Sequence, residues 1–360
     1  MIVSRDKALG LFLVLAVSII WVVASFLVQD LEQLGVHPVV VTCVSNSLFA
    51  VYLPVYFLSR FLRVRSTALA QSQTSPLDAP MPTNPTNEDL PSINEWKTDW
   101  RGALRLLWGN QLFQAAMHVA PLWFFAQLTF NASLSMTSVT SNTILSSTSA
   151  LFTFMFSVVL LSERFTYFKL GCILALLLGT AMVTSSDGIS GVHGDESARH
   201  SIWGDLLCVI SAVLYGAYTV NIRKRIQGDD ETVPMTLFFS FMGILIALTT
   251  GPILLLLALL GVPLGSMSLS ILGVLIVKGC LDNVLSDWAW ARSILLIGPT
   301  LATAGLALQV PIAVVTDVLL THPAWLGSLL TIMLTTVGGS VILAAFFGLV
   351  IGQDEDTTDI

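Results

Sequence analysis

Charge is what this chain has least of. Only 11% of its 360 residues are Asp, Glu, Lys or Arg, against 54% hydrophobic, and the mean hydropathy is +0.81. A soluble domain of this length carries about twice that charged fraction. Too few charges remain to cover a surface facing water, so lipid must cover most of it. The net charge is −7 and there is no basic stripe, which removes nucleic-acid binding. Cysteine is scarce too. Cys43, Cys172, Cys208 and Cys280 each sit in an apolar run, and none forms a CxxC pair. They read as small buried hydrophobes, without disulfides or a metal site. Enzyme signatures are also missing: there is no HExxH, no P-loop and no Gly-rich dinucleotide fingerprint, and no cofactor is expected. One GxSG string, Gly188 to Gly191, lies between apolar runs and reads as a loop.

Long apolar runs are what the chain does have. A helix needs about 20 apolar residues to cross the hydrocarbon core. Runs of that kind fall near 8–28, 36–59, 113–133, 138–161, 167–184, 203–221, 234–261, 268–290, 294–318 and 325–351. Helix is the state expected of each, because an open strand leaves its backbone unsatisfied in lipid. The first run is long and has no clear small-residue cleavage site after it, so it reads as an uncleaved span.

The basic residues test this count independently. With the N-terminus in the cytosol, 14 of the 16 Lys and Arg residues fall on the cytosolic side. Only Arg199 lies outside and only Lys278 within a span. That is the asymmetry of the positive-inside rule, and one span missed or invented would destroy it. Ten spans with both ends cytosolic are therefore expected. The long loop after the second span divides in two. Residues 61–92 are rich in Ser, Thr, Pro, Asn and Gln and read as disordered. In 93–112, Trp96, Trp100, Leu104 and Trp108 recur every four residues beside Lys97, Arg101 and Arg105, which predicts an interfacial amphipathic helix.

The chain also resembles itself. A gapless shift of 160 residues lays the third to fifth spans on the eighth to tenth. Ser133 then meets Ser293, Thr140 meets Thr300, Thr143 meets Thr303 and Gly179 meets Gly339. A shift of 194 lays Gly10 on Gly204 and Trp21 on Tyr215. The expected organisation is a five-helix repeat over 1–184, a luminal linker over 185–202, a second repeat over 203–351 and an acidic tail over 352–360. Five spans per half is odd, so the halves have opposite orientations. Inverted repeats of this kind belong to alternating-access carriers, with the substrate near the midplane between them. The fold class expected is all-α integral membrane, with ten transmembrane helices as two inverted five-helix repeats.

Ionisable groups inside spans are costly and are functional candidates by default. Lys278, Asp282 and Asp287 share the eighth span. Lys278 and Asp282 are four apart and share a helix face, so they pair either as a self-neutralising couple or as a working one. Asp287, nine residues from Lys278, is expected to face away from it. The 160-residue shift lays His118 on Lys278 and Gln127 on Asp287. Asn142 in a Ser/Thr-rich stripe, Tyr215 in the sixth span and Gln309 in the ninth complete the candidate substrate-binding set. Small-residue stripes in the fifth span (Gly171, Ala175, Gly179) and the tenth (Ser340, Ala344, Gly348, Gly352) allow close helix approach, within one chain or in a homodimer.

Several stretches resemble a known family. Leu145 to Thr153, Arg164-Phe-Thr with Lys169-Leu170, Ser201-Ile-Trp-Gly-Asp-Leu and Tyr215-Gly-Ala-Tyr218 are similar to helices of the drug/metabolite transporter superfamily. So are Asn283-Val-Leu-Ser-Asp-Trp288 and Val310-Pro-Ile312. The likeness is to solute carrier family 35, subfamily F, and its fungal vacuolar and thiamine-repressible relatives. The resemblance implies a secondary carrier of a small organic solute in an endomembrane, vacuole or Golgi before plasma membrane. An antiporter of a phosphorylated or nucleotide-linked metabolite is the alternative within transport. A non-transporting scaffold or sensor with a plugged cavity is the alternative outside it.

Overall fold

The computed structural model describes residues 5–33, 38–58, 110–134, 136–137, 139–189, 202–226, 235–261, 268–320 and 324–358. The loop at 61–92 and nearly all of the amphipathic helix at 93–112 lie outside them, as does most of the 185–202 linker. Every regular element among the described residues is helical. In chain order they are α1 (Arg5–Gln33), α2 (Pro38–Ser47), α3 (Gln111–Leu134), α4 (Val139–Ser147), α5 (Ser149–Leu160), α6 (Tyr167–Ile189) and α7 (Ile202–Arg225). Then follow α8 (Met235–Leu259), α9 (Leu269–Gly279), α10 (Ser286–Ile297), α11 (Pro299–Gly305), α12 (Gln309–Leu320) and α13 (Leu329–Thr358). The acidic segment at 354–356 continues the last helix without a break.

Among the described residues, eight helices are long and apolar enough to cross a membrane. The expected spans at 36–59 and 113–133 are helical as well but fall short of that standard. Thr42–Leu58 is apolar but short. The 24-residue α3 carries Gln114, His118, Gln127 and Asn131 on its way through.

Several helices are interrupted along their length. α4 gives way to α5 at Thr148, and α11 to α12 through a 3₁₀ turn at Leu306–Leu308. With the 160-residue shift these two breaks coincide. α9 passes into α10 through a π-helical stretch, Cys280–Leu285. Pro121 of α3 falls on Leu281 of that stretch under the same shift. Proline in mid-helix and π geometry both disturb the i→i−4 ladder, so both halves loosen the same stretch.

Packing follows the same pairing. α7 lies along α3, and α1 along α10. α7 also packs on α4 and α5, and α1 on α11 and α12. α8 touches α3, while α2 touches α9. α6 and α13 run against each other. A Cβ on Gly179 would lie 2.7 Å from the Gly338 carbonyl, and one on Gly338 would lie 2.8 Å from the Gly179 carbonyl. Gly348 and Gly352 fit against Cys172 and Phe168 of α6. Much of the small-residue stripes is thus used inside one chain. Gly179→Val should cost about 1–3 kcal/mol by overpacking. Gly339→Val, where a Cβ meets nothing within 4 Å, should cost little. Melting of the two variants in detergent compares them directly, and equal midpoints would disprove the contact.

One end of the bundle collects the basic residues. There the Lys7 ammonium donates to the Val350 carbonyl (2.7 Å) and Arg223 to Leu295 (2.5 Å). Gln353 donates to Ile297 (2.7 Å). Glu163 holds the Lys169 ammonium at 3.0 Å and accepts the Thr300 hydroxyl at 2.6 Å. A hollow of ≈ 700 Å³ sits among these groups.

Candidate functional site

A larger cavity of ≈ 710 Å³ lies between the halves, drawing on α1, α3, α4, α5, α6, α7, α11, α12 and the π stretch into α10. It shares no lining residue with the hollow at the basic end. Along the helices that reach both, buried apolar residues stand between them: Phe154, Ile173, Ile222, Ile294 and Ala302. A packed apolar layer thus separates the cavity from the basic end.

The lining repeats itself. At the 160-residue shift, Trp123 pairs with Asn283, Gln127 with Asp287, Thr143 with Thr303 and Ser146 with Leu306. Ser147 pairs with Ala307, Ser149 with Gln309 and Ala150 with Val310. Both members of each of these pairs line the cavity, as do Trp21 and Tyr215, which pair at a shift of 194.

Of the residues singled out by sequence, Asp282, Asp287, Tyr215 and Gln309 line the cavity. Lys278 does not. It is buried, with its ammonium 2.8 Å from the Asp282 carboxylate, and meets the cavity only through that partner. His118 is exposed, with Nδ1 2.7 Å from the Gln114 carbonyl of its own helix. It stands nine residues before Gln127. Nine residues of α-helix are two and a half turns, so when Gln127 faces the cavity His118 faces away. Asn142 is buried beside the cavity, donating to the Ser133 hydroxyl at 2.5 Å, while its carbonyl faces the Cys208 thiol at 3.4 Å. It braces α4 against the end of α3 and against α7.

Asp287 shares the cavity with Asp282 for a physical reason. In a plain α-helix it would lie about 140° around the axis from Asp282. The π stretch closes its bonds from i to i+5, so two residues five apart come onto one face. Asp282 and Asp287 therefore both point into the cavity. Asp287 is 1% exposed, and its Oδ1 has no hydrogen-bond donor among the described residues.

Other site residues escaped the sequence reading. Asn46 accepts from Trp123 Nε1 (3.2 Å) and from Asn283 Nδ2 (2.6 Å), tying three helical segments together beside the cavity. Trp21 Nε1 donates to the Ser286 hydroxyl at 2.7 Å. The ring of Tyr215 stands 6.1 Å from Trp123, 6.2 Å from Trp290 and 5.7 Å from Tyr218, and Trp290 stands 6.3 Å from Trp21. These rings make an aromatic wall. The 160- and 194-residue shifts carried the signal for Trp123 and Trp21, since they lie opposite Asn283 and Tyr215.

Comparison with known proteins agrees with the resemblance drawn from the sequence. Residues 95–185 match the EamA-like transporter family. An uncharacterized vacuolar membrane protein of Saccharomyces cerevisiae is 29% identical over 371 residues, covering 96% of this chain and 92% of its own. Solute carrier family 35 member F5 of Macaca fascicularis is 29% identical over 216 residues, 59% of this chain and 48% of its own. A solved crystal structure superposes with a TM-score of 0.56 at 14% identity, over 94% of this chain and 96% of the other, which is a likeness of fold.

Proposed function

Starting from a multi-pass membrane chain that resembles the EamA-like transporters and solute carrier family 35 subfamily F, we propose a secondary carrier. It moves a small organic metabolite across an endomembrane by alternating access, through ten spans arranged as two inverted repeats. The observation that carries this reading is the cavity: it is lined by equivalent residues of both halves and sealed from the basic end. The coincident breaks in α4–α5 and α11–α12, and the matching helix contacts, support the same symmetry. The sealed layer corresponds to one of the two states that alternating access requires. A ≈ 710 Å³ cavity lined by carboxylates, hydroxyls and amides argues against a plugged scaffold. An antiporter of phosphorylated metabolites is disfavoured, since among the described residues no Lys, Arg or His lines the cavity. The vacuolar membrane placement of the yeast relative favours the endomembrane.

The purified chain in proteoliposomes is expected to take up labelled metabolites from a pool saturably, and without ATP. Uptake no greater than that of protein-free vesicles would end the carrier reading. Cysteines placed at 70–90 should be labelled only from the face that carries the basic end. Labelling from the opposite face would overturn the topology.

A further inference from the structure

The cavity's charge is one-sided. Among the described residues two charged side chains line it, Asp282 and Asp287, and both are acidic. Asp282 is neutralised by Lys278 at 2.8 Å. Asp287 remains, buried to 1% exposure with Oδ1 unmet. An ionised carboxylate in such a place is costly unless a counter-charge arrives. The surrounding surface suits one kind of counter-charge. Trp21, Trp123 and Tyr215 line the same cavity, and the Tyr215 hydroxyl, like Asn283 Oδ1 and Thr303 Oγ1, is a buried polar atom without a partner among the described residues. Aromatic faces attract a cation lying within about 6 Å of the ring centre and stack against flat ligands.

We propose, resting on the carrier reading above, that the substrate is a small flat organic monocation whose charge sits at Asp287 and whose ring lies among Trp21, Trp123 and Tyr215. One charge is specified because the Lys278–Asp282 pair cancels and leaves a single carboxylate. A dry apolar slot would accept a neutral ring equally well; the unmet carboxylate oxygen is what selects against it. An anion meets two carboxylates and no cation.

The test uses the full chain in detergent and tritiated 1-methyl-4-phenylpyridinium as the probe, followed by equilibrium dialysis. Its uncharged analogue 4-phenylpyridine and the anion biphenyl-4-carboxylate serve as competitors. The cation should bind saturably and about ten-fold or more tighter than either competitor. Asp287→Asn should lose about ten-fold or more of the cation's affinity, while Asp287→Glu keeps the preference for cation over neutral analogue. Trp21→Ala should weaken cation and neutral analogue together. No saturable cation binding up to about 1 mM overturns the proposal. So does an Asn variant that binds like the parent, a Glu variant that loses the preference, or displacement led by the anion. Parallel uptake in vesicles separates the two readings. Binding without uptake sinks the carrier and spares the site, whereas uptake of an anionic metabolite without cation binding sinks the site and spares the carrier.

Discussion

Asp282→Ala is expected to destabilise the fold by about 3–5 kcal/mol, the cost of breaking a buried ion pair from one side. The reason is where the partner is left. Lys278 is held away from the cavity with its side chain 10% exposed, and Asp282 takes its ammonium at 2.8 Å. Without the carboxylate, a buried ammonium loses its counter-charge. Lys278→Met is expected to cost less, because the carboxylate it strands lines the cavity and is the more exposed of the two. Lys278→Met with Asp282→Leu should recover most of the loss, since a buried pair replaced by apolar groups of like volume is often neutral or better. Unfolding of the four proteins in detergent closes the double-mutant cycle. A coupling near zero would mean the pair is an incidental contact.

Eight of the ten expected span positions and the pair of carboxylates were legible in the sequence because each is written in local composition. An apolar run of about 20 residues and a charge inside it need no tertiary information. Lys278 and Asp282 were paired correctly from their spacing. The orientation of Asp287 was not legible, because it depends on a π stretch that leaves no mark in the hydrophobic pattern when the whole segment is apolar. The same blindness affects the aromatic wall: Trp21, Trp123, Tyr215 and Trp290 come from four different helices, and each alone reads as packing. The internal repeat was the one long-range signal available. It linked Gln127 with Asp287, both in the cavity, and His118 with Lys278, of which neither lines it. In both couples the shift laid like on like: two lining residues in one, two non-lining residues in the other.

Glu163→Ala is expected to release the closed end. Glu163 precedes α6 in the first half and accepts the hydroxyl of Thr300, in the first turn of α11 in the second half, while its other oxygen holds Lys169. Its bond to Thr300 is a charged hydrogen bond that crosses between the halves at this end, as does that of Lys7 to the Val350 carbonyl. Lys169 is 5% and Glu163 24% exposed at their side chains, so water screens the pair weakly. Hydrogen bonds to charged groups contribute about 1.5–3 kcal/mol each. Alternating access requires the closed and open states to lie within a few kcal/mol of each other, so losing even one such bond should shift their populations about ten-fold or more. Arg223, Gln353 and Lys7 tie backbone carbonyls at the same end and should hold the helices themselves in place. Ala307→Cys provides the readout, since Ala307 lines the cavity on the far side of the buried layer that includes Phe154 and Ala302. In a background with the four native cysteines replaced, a thiol reagent added from the basic end should modify it about ten-fold faster in the Glu163→Ala protein. Glu163→Gln, which keeps the bond to Thr300 and loses the charge, should fall between. Modification at the parent's rate in both variants would show that the packed apolar layer alone holds this end shut.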